Sequence, residues 1–193
     1  MDASSDGDLI RRLQAGSLEA LGALYDRHRL LVYRTSLAIT GDVEAAADLL
    51  QEVFLRLFRF ADHIDPGRPL EPWLYRMTTN LSYTWVKRHN RWLRPLEEVA
   101  EWLLGSRELP ARQIEVDESL QQLGQAITSL PLPHRGVVVL YYLNDLSLQE
   151  IAEILDIPVG TVKSRLHYGR QAIRKSLGLV PEETLPELRY EFT

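Results

Sequence analysis

Apolar residues recur at helical spacings along most of this chain, and the β-branched runs are short and sit inside those helical periods. Val137-Val138-Val139 is the one run that reads equally as strand or helix. The fold class expected is therefore all-α. The periodicity predicts helices near 7–15, 17–39, 42–60, 71–92, 117–130, 133–144, 148–155 and 159–177. Asp65-Pro66-Gly67, with Pro69 and Pro72 behind it, separates the third helix from the fourth. Between the fourth and fifth lies an acidic stretch broken by Pro95, Gly105 and Pro110, which is the expected interdomain linker. Two small helical domains follow, 1–94 and 117–178, joined by the acidic linker 95–116 and followed by an acidic, proline-broken tail, 179–193. At 193 residues the chain can bury two such cores without a metal or a disulfide.

There is no cysteine, which excludes disulfides, thiolate nucleophiles and Cys-ligated zinc. The N-terminus has no basic segment followed by an apolar one, and no apolar run reaches about 18 residues, so no membrane insertion is expected and the expected location is cytoplasmic. The histidines at 28, 63, 89, 134 and 167 have no metal-ligand spacing, and no phosphate loop or nucleophile motif occurs. No catalytic residue, cofactor or metal is expected, and an enzyme is not. The net charge of −5 conceals a strong asymmetry: residues 73–94 and 159–178 each carry five Lys/Arg and no Asp/Glu, inside a chain that is acidic elsewhere. Solvated helix faces usually mix signs; the residues alone leave solvated faces and nucleic-acid contact both open.

Steps of about 100° per residue put Ala46, Leu50, Val53 and Leu57 on the core side of 44–59, and Asp48, Gln51, Glu52, Leu55 and Arg59 opposite. Such a face is either simply wet or a partner surface, with Leu55 the feature that favours the latter. In 73–92, Leu74, Met77, Leu81 and Trp85 point inward. Arg76, Thr79, Tyr83, Lys87 and Asn90 point outward, with Asn80 and Arg91 at the edges. Rings among amides, hydroxyls and cations suit unpaired DNA, because rings stack on splayed bases and cations hold phosphates. In LSLQEIAEILDIPVGTVKSRLHYGRQAIRKSL, 146–177, Ser147 and Glu150 form a capping box for a short helix with Ile151, Ala152 and Leu155 buried. A turn at Asp156-Ile157-Pro158 precedes a basic helix with Val162, Leu166, Gly169 and Ile173 inward. Thr161, Ser164, His167, Tyr168 and Gln171 face outward there, flanked by Lys163, Arg165, Arg170 and Arg174. That is the pattern of a helix-turn-helix, whose second helix enters the major groove.

AAADLLQEVFLRLF (45–58) followed by PWLYRMTTNLSYTWVKRHNR (72–91) resembles the N-terminal domain of extracytoplasmic-function (ECF) sigma factors of bacterial RNA polymerase. Residues 130–147 and 146–177 resemble their C-terminal domain. The resemblance spans nearly all of 8–178. It implies a transcription initiation factor that binds core RNA polymerase, through the β and β′ subunits, recognises −35 and −10 promoter elements and melts DNA. It assigns Asp48, Gln51 and Glu52 to the β′ clamp, with Leu55 beside them. It assigns Asn80, Tyr83, Lys87 and Arg88, with Arg76 on the same face, to single-stranded −10 DNA, and the loop 60–72 to the pocket for a flipped base. It assigns Lys163, Ser164, Arg165 and His167, with Thr161 and Arg170 flanking them, to duplex −35 DNA. Tyr168 departs from the motif, where a basic residue is usual. By the same resemblance the linker threads toward the polymerase cleft, and an anti-sigma factor is a partner that family members commonly have. A response-regulator activator would explain 146–177 equally well but not 45–91.

Overall fold

Several helices begin where a short polar side chain can accept an otherwise orphaned backbone N–H. Ser5, Ser17, Asp42 and Ser147 accept from Asp8, Ala20, Ala45 and Glu150 respectively. The computed structural model describes residues 4–89 and 118–179. They form α1 (Asp6–Gln14), α2 (Leu18–Thr40), α3 (Val43–Arg59), a 3-10 turn (Ala61–His63) and α4 (Glu71–His89). After the undescribed stretch come α5 (Glu118–Ser129), α6 (Leu132–Tyr142), α7 (Leu148–Leu155) and α8 (Val159–Ser176). Among the described residues there is no strand, and the ambiguous valine run lies inside α6, fully helical and buried. Helix α2 stops at Gly41, whose φ of 69° is a left-handed value that a glycine adopts without strain.

Helices α1 to α4 enclose one apolar core built on Leu9, Ile10, Leu24, Val32, Val53, Leu57, Leu70 and Leu74. Helices α6 to α8 enclose a second, built on Val137, Leu140, Ile151, Val162 and Leu166, with Leu130 after α5 closing it. The expected linker 95–116 and residues 180–193 of the expected tail lie outside the described residues.

The two halves are in contact. Tyr75 of α4 and Leu31 of α2 pack into the second core, and Ala38 and Ile39 of α2 pack on Val139 of α6. Thr35 Oγ1 donates to Asn144 Oδ1 at 3.3 Å across the same seam. At its centre Arg135, 4% exposed, donates to the Ile39 carbonyl at 2.5 Å, to the Leu130 carbonyl at 3.0 Å and to the Thr128 carbonyl. One α6 side chain thus satisfies carbonyls at the ends of both α2 and α5. Arg135→Met keeps the bulk and strands three carbonyls; each buried orphan costs about 1–3 kcal/mol. The expected result is a loss of about 3 kcal/mol or more and a melting temperature lower by several degrees. An unchanged thermal melt would contradict this role.

Candidate nucleic-acid interface

On α3 the apolar side is wider than expected, with Ala45, Leu49 and Phe54 buried alongside Ala46, Val53 and Leu57. The opposite face carries Asp48, Gln51 and Leu55, all exposed, Leu55 at 48%. Glu52 is half-buried because its carboxylate accepts from Arg56 Nε at 2.6 Å, one turn on. Phe58 and Phe60 are also exposed, at 43% and 48%. They extend the Leu55 patch toward the loop at 60–72; the projection of 44–59 assigned Phe58 to neither face and ended one residue before Phe60. Exposed rings beside an exposed leucine and two acids form a surface suited to a protein partner.

Helix α4 departs from its projection. Leu74 is buried in the first core, with Met77 and Leu81 packed against it, as expected. Thr79, expected outward, is 0% exposed, and Tyr83, also expected outward, is half-buried. The reason is that α4 has two covered faces. Tyr75 packs into the second core and Tyr83 against the α2–α6 cluster, so this helix is covered by the second half as well as by its own. A projection that allows one core per helix cannot show this. Burial pushes the Tyr83 hydroxyl up to about 12, and the nearby guanidiniums of Arg165 and Arg135 only partly oppose that shift. Tyr75 is likewise pushed up to about 12 by burial, reinforced by Glu71, Asp145 and Glu150. Asn80, Lys87 and Arg88 remain exposed. Arg76 is exposed too, and its Nη2 lies 3.5 Å from Asp156 Oδ2 in the turn of the other half. Trp85, expected inward, is half-buried and stacks on His89 with centroids 4.5 Å apart.

In the second half, the expected capping box at α7 is present: Ser147 N–H donates to Glu150 Oε2 at 2.8 Å, and Glu150 N–H donates to Ser147 Oγ at 3.2 Å. Hydrogen bonds from the Ser147 hydroxyl first and its backbone N–H second hold the Glu150 carboxyl below its ordinary value. A depressed carboxylate contributes stability above its unfolded pKa and loses it as pH falls through the folded one, so the cap is intact at neutral pH. Ile151, Ala152 and Ile154 are the buried residues of α7, whereas Leu155 is only half-buried. Asp156 takes a left-handed φ of 55°, and Ile157 N–H donates to the Ala152 carbonyl at 3.0 Å. Pro158 then opens α8. This is a helix-turn-helix.

Val162, Leu166 and Gly169 bury the inner side of α8, which leaves Lys163, Ser164, His167 and Arg170 exposed and Thr161 and Arg165 half-exposed. Ser164 Oγ donates to the Thr161 carbonyl at 3.0 Å. The Arg165 charge reaches His134, whose pKa is lowered by burial first and by that cation second. Arg165 thus stands at the edge of the seam rather than in the middle of the open face. Gly169 is what lets α8 lie this close to α6: a Cβ there would meet Val138 Cγ2 at 2.6 Å.

The His28 ring, buried, sits 2.7 Å from Asp6 Oδ2, and Arg27 pairs with the same carboxylate. With Glu71 these ligand atoms lie within 4.8 Å of one another, a grouping spread over three helices that no sequence spacing reveals. Its existing ion pairs account for it as a tie between α1 and α2. Among the described residues no helix is long and apolar enough to cross a membrane.

Comparison with known proteins now decides between the readings. The Sigma-70 region 2 family matches residues 24–92, and the Sigma-70, region 4 family matches residues 120–173. The chain belongs to the ECF family of RNA polymerase sigma factors. It is 35% identical to the ECF sigma factor SigW of Bacillus subtilis over a stretch covering 87% of this chain and 94% of SigW. To SigL of Mycobacterium tuberculosis it is 32% identical, with 84% and 92% covered. Its fold is similar to that of CnrH in complex with the cytosolic domain of CnrY, with a TM-score of 0.68 at 21% identity, covering 92% of this chain and 100% of CnrH. It is also similar to RpoE of Bartonella quintana in complex with the anti-sigma factor NepR, with a TM-score of 0.59 at 21% identity, covering 79% and 94%. Sigma factors are transcription initiation factors and not enzymes. Residues 24–92 include α3 and α4, so the activator rival, which accounts for 146–177 alone, is set aside.

The position of the helix-turn-helix on its support is testable. Gly169→Val puts a branched side chain where Val138 already stands; overpacking of this kind costs about 1–3 kcal/mol. The expected result is a lower melting temperature together with weaker binding to duplex DNA, although no cation is removed. Wild-type stability in this variant would show that α8 is not held by that contact.

Proposed function

We propose that this sigma factor docks on the polymerase clamp through α3, holds the non-template strand of the −10 element on α4, and reads the −35 duplex with α8. The observation that carries this reading is the separation of three exposed surfaces of different chemistry on one frame. Asp48, Gln51, Glu52 and Leu55, extended by Phe58, combine acid with apolar area, as a protein partner requires. Arg76, Asn80, Lys87 and Arg88, with Tyr83 beside them, offer cations, an amide and a ring to unpaired bases. Thr161, Lys163, Ser164, Arg165, His167 and Arg170 line one side of a helix that a turn holds clear of its neighbour, as a major-groove reader must be. The acidic linker 95–116 suits surfaces built for nucleic acid, and the tail 179–193 suits a regulator rather than promoter contact. A protein of the anti-sigma class is proposed as the regulatory partner, in line with CnrY on CnrH and NepR on RpoE.

Replacing Asp48 and Glu52 by Arg reverses two charges without touching the core, so helicity should persist while association with core polymerase is lost. Wild-type affinity in that double variant would defeat the α3 assignment. The DNA assignments separate in a second experiment at one fixed salt concentration. Arg165→Ala or Lys163→Ala should weaken duplex −35 binding, with each good base contact worth about 1–3 kcal/mol, and spare a pre-melted −10 fragment. Asn80→Ala should do the reverse. Identical profiles for the two classes would show that the helices do not divide the work.

A further inference from the structure

We infer that α1 braces the 60–72 loop, with Gln14 as a positioning residue, and that this brace sets which base the loop prefers when an unpaired strand lies on α4. The inference rests on the proposed role of α4 and on the resemblance that gives this loop to a flipped base. It deepens that reading by assigning base preference to a helix that the proposed function leaves unused.

Ala61, Ile64 and Leu70 root the loop in the first core, while Asp62, His63, Asp65, Arg68 and Pro69 stand exposed. Apolar roots hold a loop in place without aiming its backbone. Gln14 supplies the aim: its Nε2 donates to the Ala61 carbonyl at 2.9 Å and to the Ile64 carbonyl at 2.9 Å. Both N–H bonds of one amide are thus committed to this loop. Two turns back on the same face of α1, Gly7 meets the far part of the loop, where a Cβ would stand 2.3 Å from the Pro66 carbonyl oxygen. The turn between these contacts is tied within itself. Gly67 N–H donates to Asp65 Oδ1 at 2.8 Å, and Arg68 N–H donates to the Asp65 carbonyl at 3.1 Å. The turn is therefore a small rigid unit, and α1 decides where it stands.

What the loop exposes suits a base. The rings of Phe60 and His63 meet edge to face with centroids 6.3 Å apart, and Arg68 stays exposed while its Nε lies 3.3 Å from Asp65 Oδ2. The chain then enters α4 at Glu71, the helix that carries Arg76 and Asn80. Affinity and preference make different demands on such groups. Stacking tolerates any base, because every base has a π-face, so a loosened loop still binds. Preference needs the groups held in one place, and a site carried on a loop has that precision only if a supporting shell fixes it. Gln14 and Gly7 are that shell, so loosening them should cost preference before it costs affinity.

Two variants of the full chain loosen the brace from opposite ends. Gln14→Glu keeps the shape of the side chain and turns its two donors into an acceptor that faces two carbonyls. Gly7→Ala pushes directly on the Pro66 carbonyl. Each variant is assembled with bacterial core polymerase and offered duplexes that carry an unpaired segment randomised in its non-template strand. Sequencing the bound and input pools gives the base preference at every unpaired position, and the total bound gives affinity.

The unaltered protein should favour its best base over its worst by about fivefold or more at one position, and Gln14→Glu should bring that ratio within about twofold. Total binding and the preferences at other positions should change little. His63→Ala, which removes an exposed ring from the loop, should flatten the same position as Gln14→Glu. A Gln14→Glu protein with an unchanged ratio, or one that loses all positions and total binding together as a merely destabilised protein would, overturns the proposal. Should that variant not fold, Gly7→Ala is held to the same two outcomes. If the unaltered protein shows no base preference at any unpaired position, the single-strand reading of α4 fails first and takes this one with it.

Discussion

A guanidinium taken out of water must find acceptors, and Arg135 finds three backbone carbonyls drawn from α2 and from the chain on either side of the α5 end. Burial still lowers its pKa to about 10, yet it stays charged at neutral pH, and only the nearby Tyr83 opposes the shift. That one requirement fixes where α6 runs, and α6 then meets both α4 and α8. On one side Gly136 receives the Tyr83 ring of α4; on the other Gly169 brings α8 against Val138. The placement of α4 relative to α8 therefore descends from a buried cation on the helix between them.

Most of the helices were legible because each carries one strong 3.6-residue stripe and a recognisable start. Ser147 with Glu150, and Pro158 before Val159, mark their helices from spacing alone, and the structure places α7 and α8 within a residue or so of where that spacing does. Even the valine run of α6 resolves once its neighbours are known, since all three valines are buried inside a helix with no partner strand.

What escaped the sequence has a common cause: contact with a second body. Tyr83 read as outward because a projection knows only one core, whereas α4 is covered from two sides. Arg135 carries no local signal of its role, since nothing in its spacing says that the ends of α2 and α5 converge on it. Phe58, which the projection of 44–59 covered without assigning it to a face, and Phe60, one residue past that stretch, stand exposed at the C-terminal end of α3 where the chain turns. Long-range satisfaction of polar groups, unlike periodicity, is written across the whole chain and not within any window of it.

The central claim is that this chain confers promoter choice on polymerase. The most direct measurement adds the purified protein to sigma-free bacterial core polymerase on fragmented genomic DNA and sequences the 5′ ends of the transcripts. The account predicts discrete start sites that share two upstream elements at a constant separation, absent with core polymerase alone. Transcripts no different from those of core polymerase alone would contradict it.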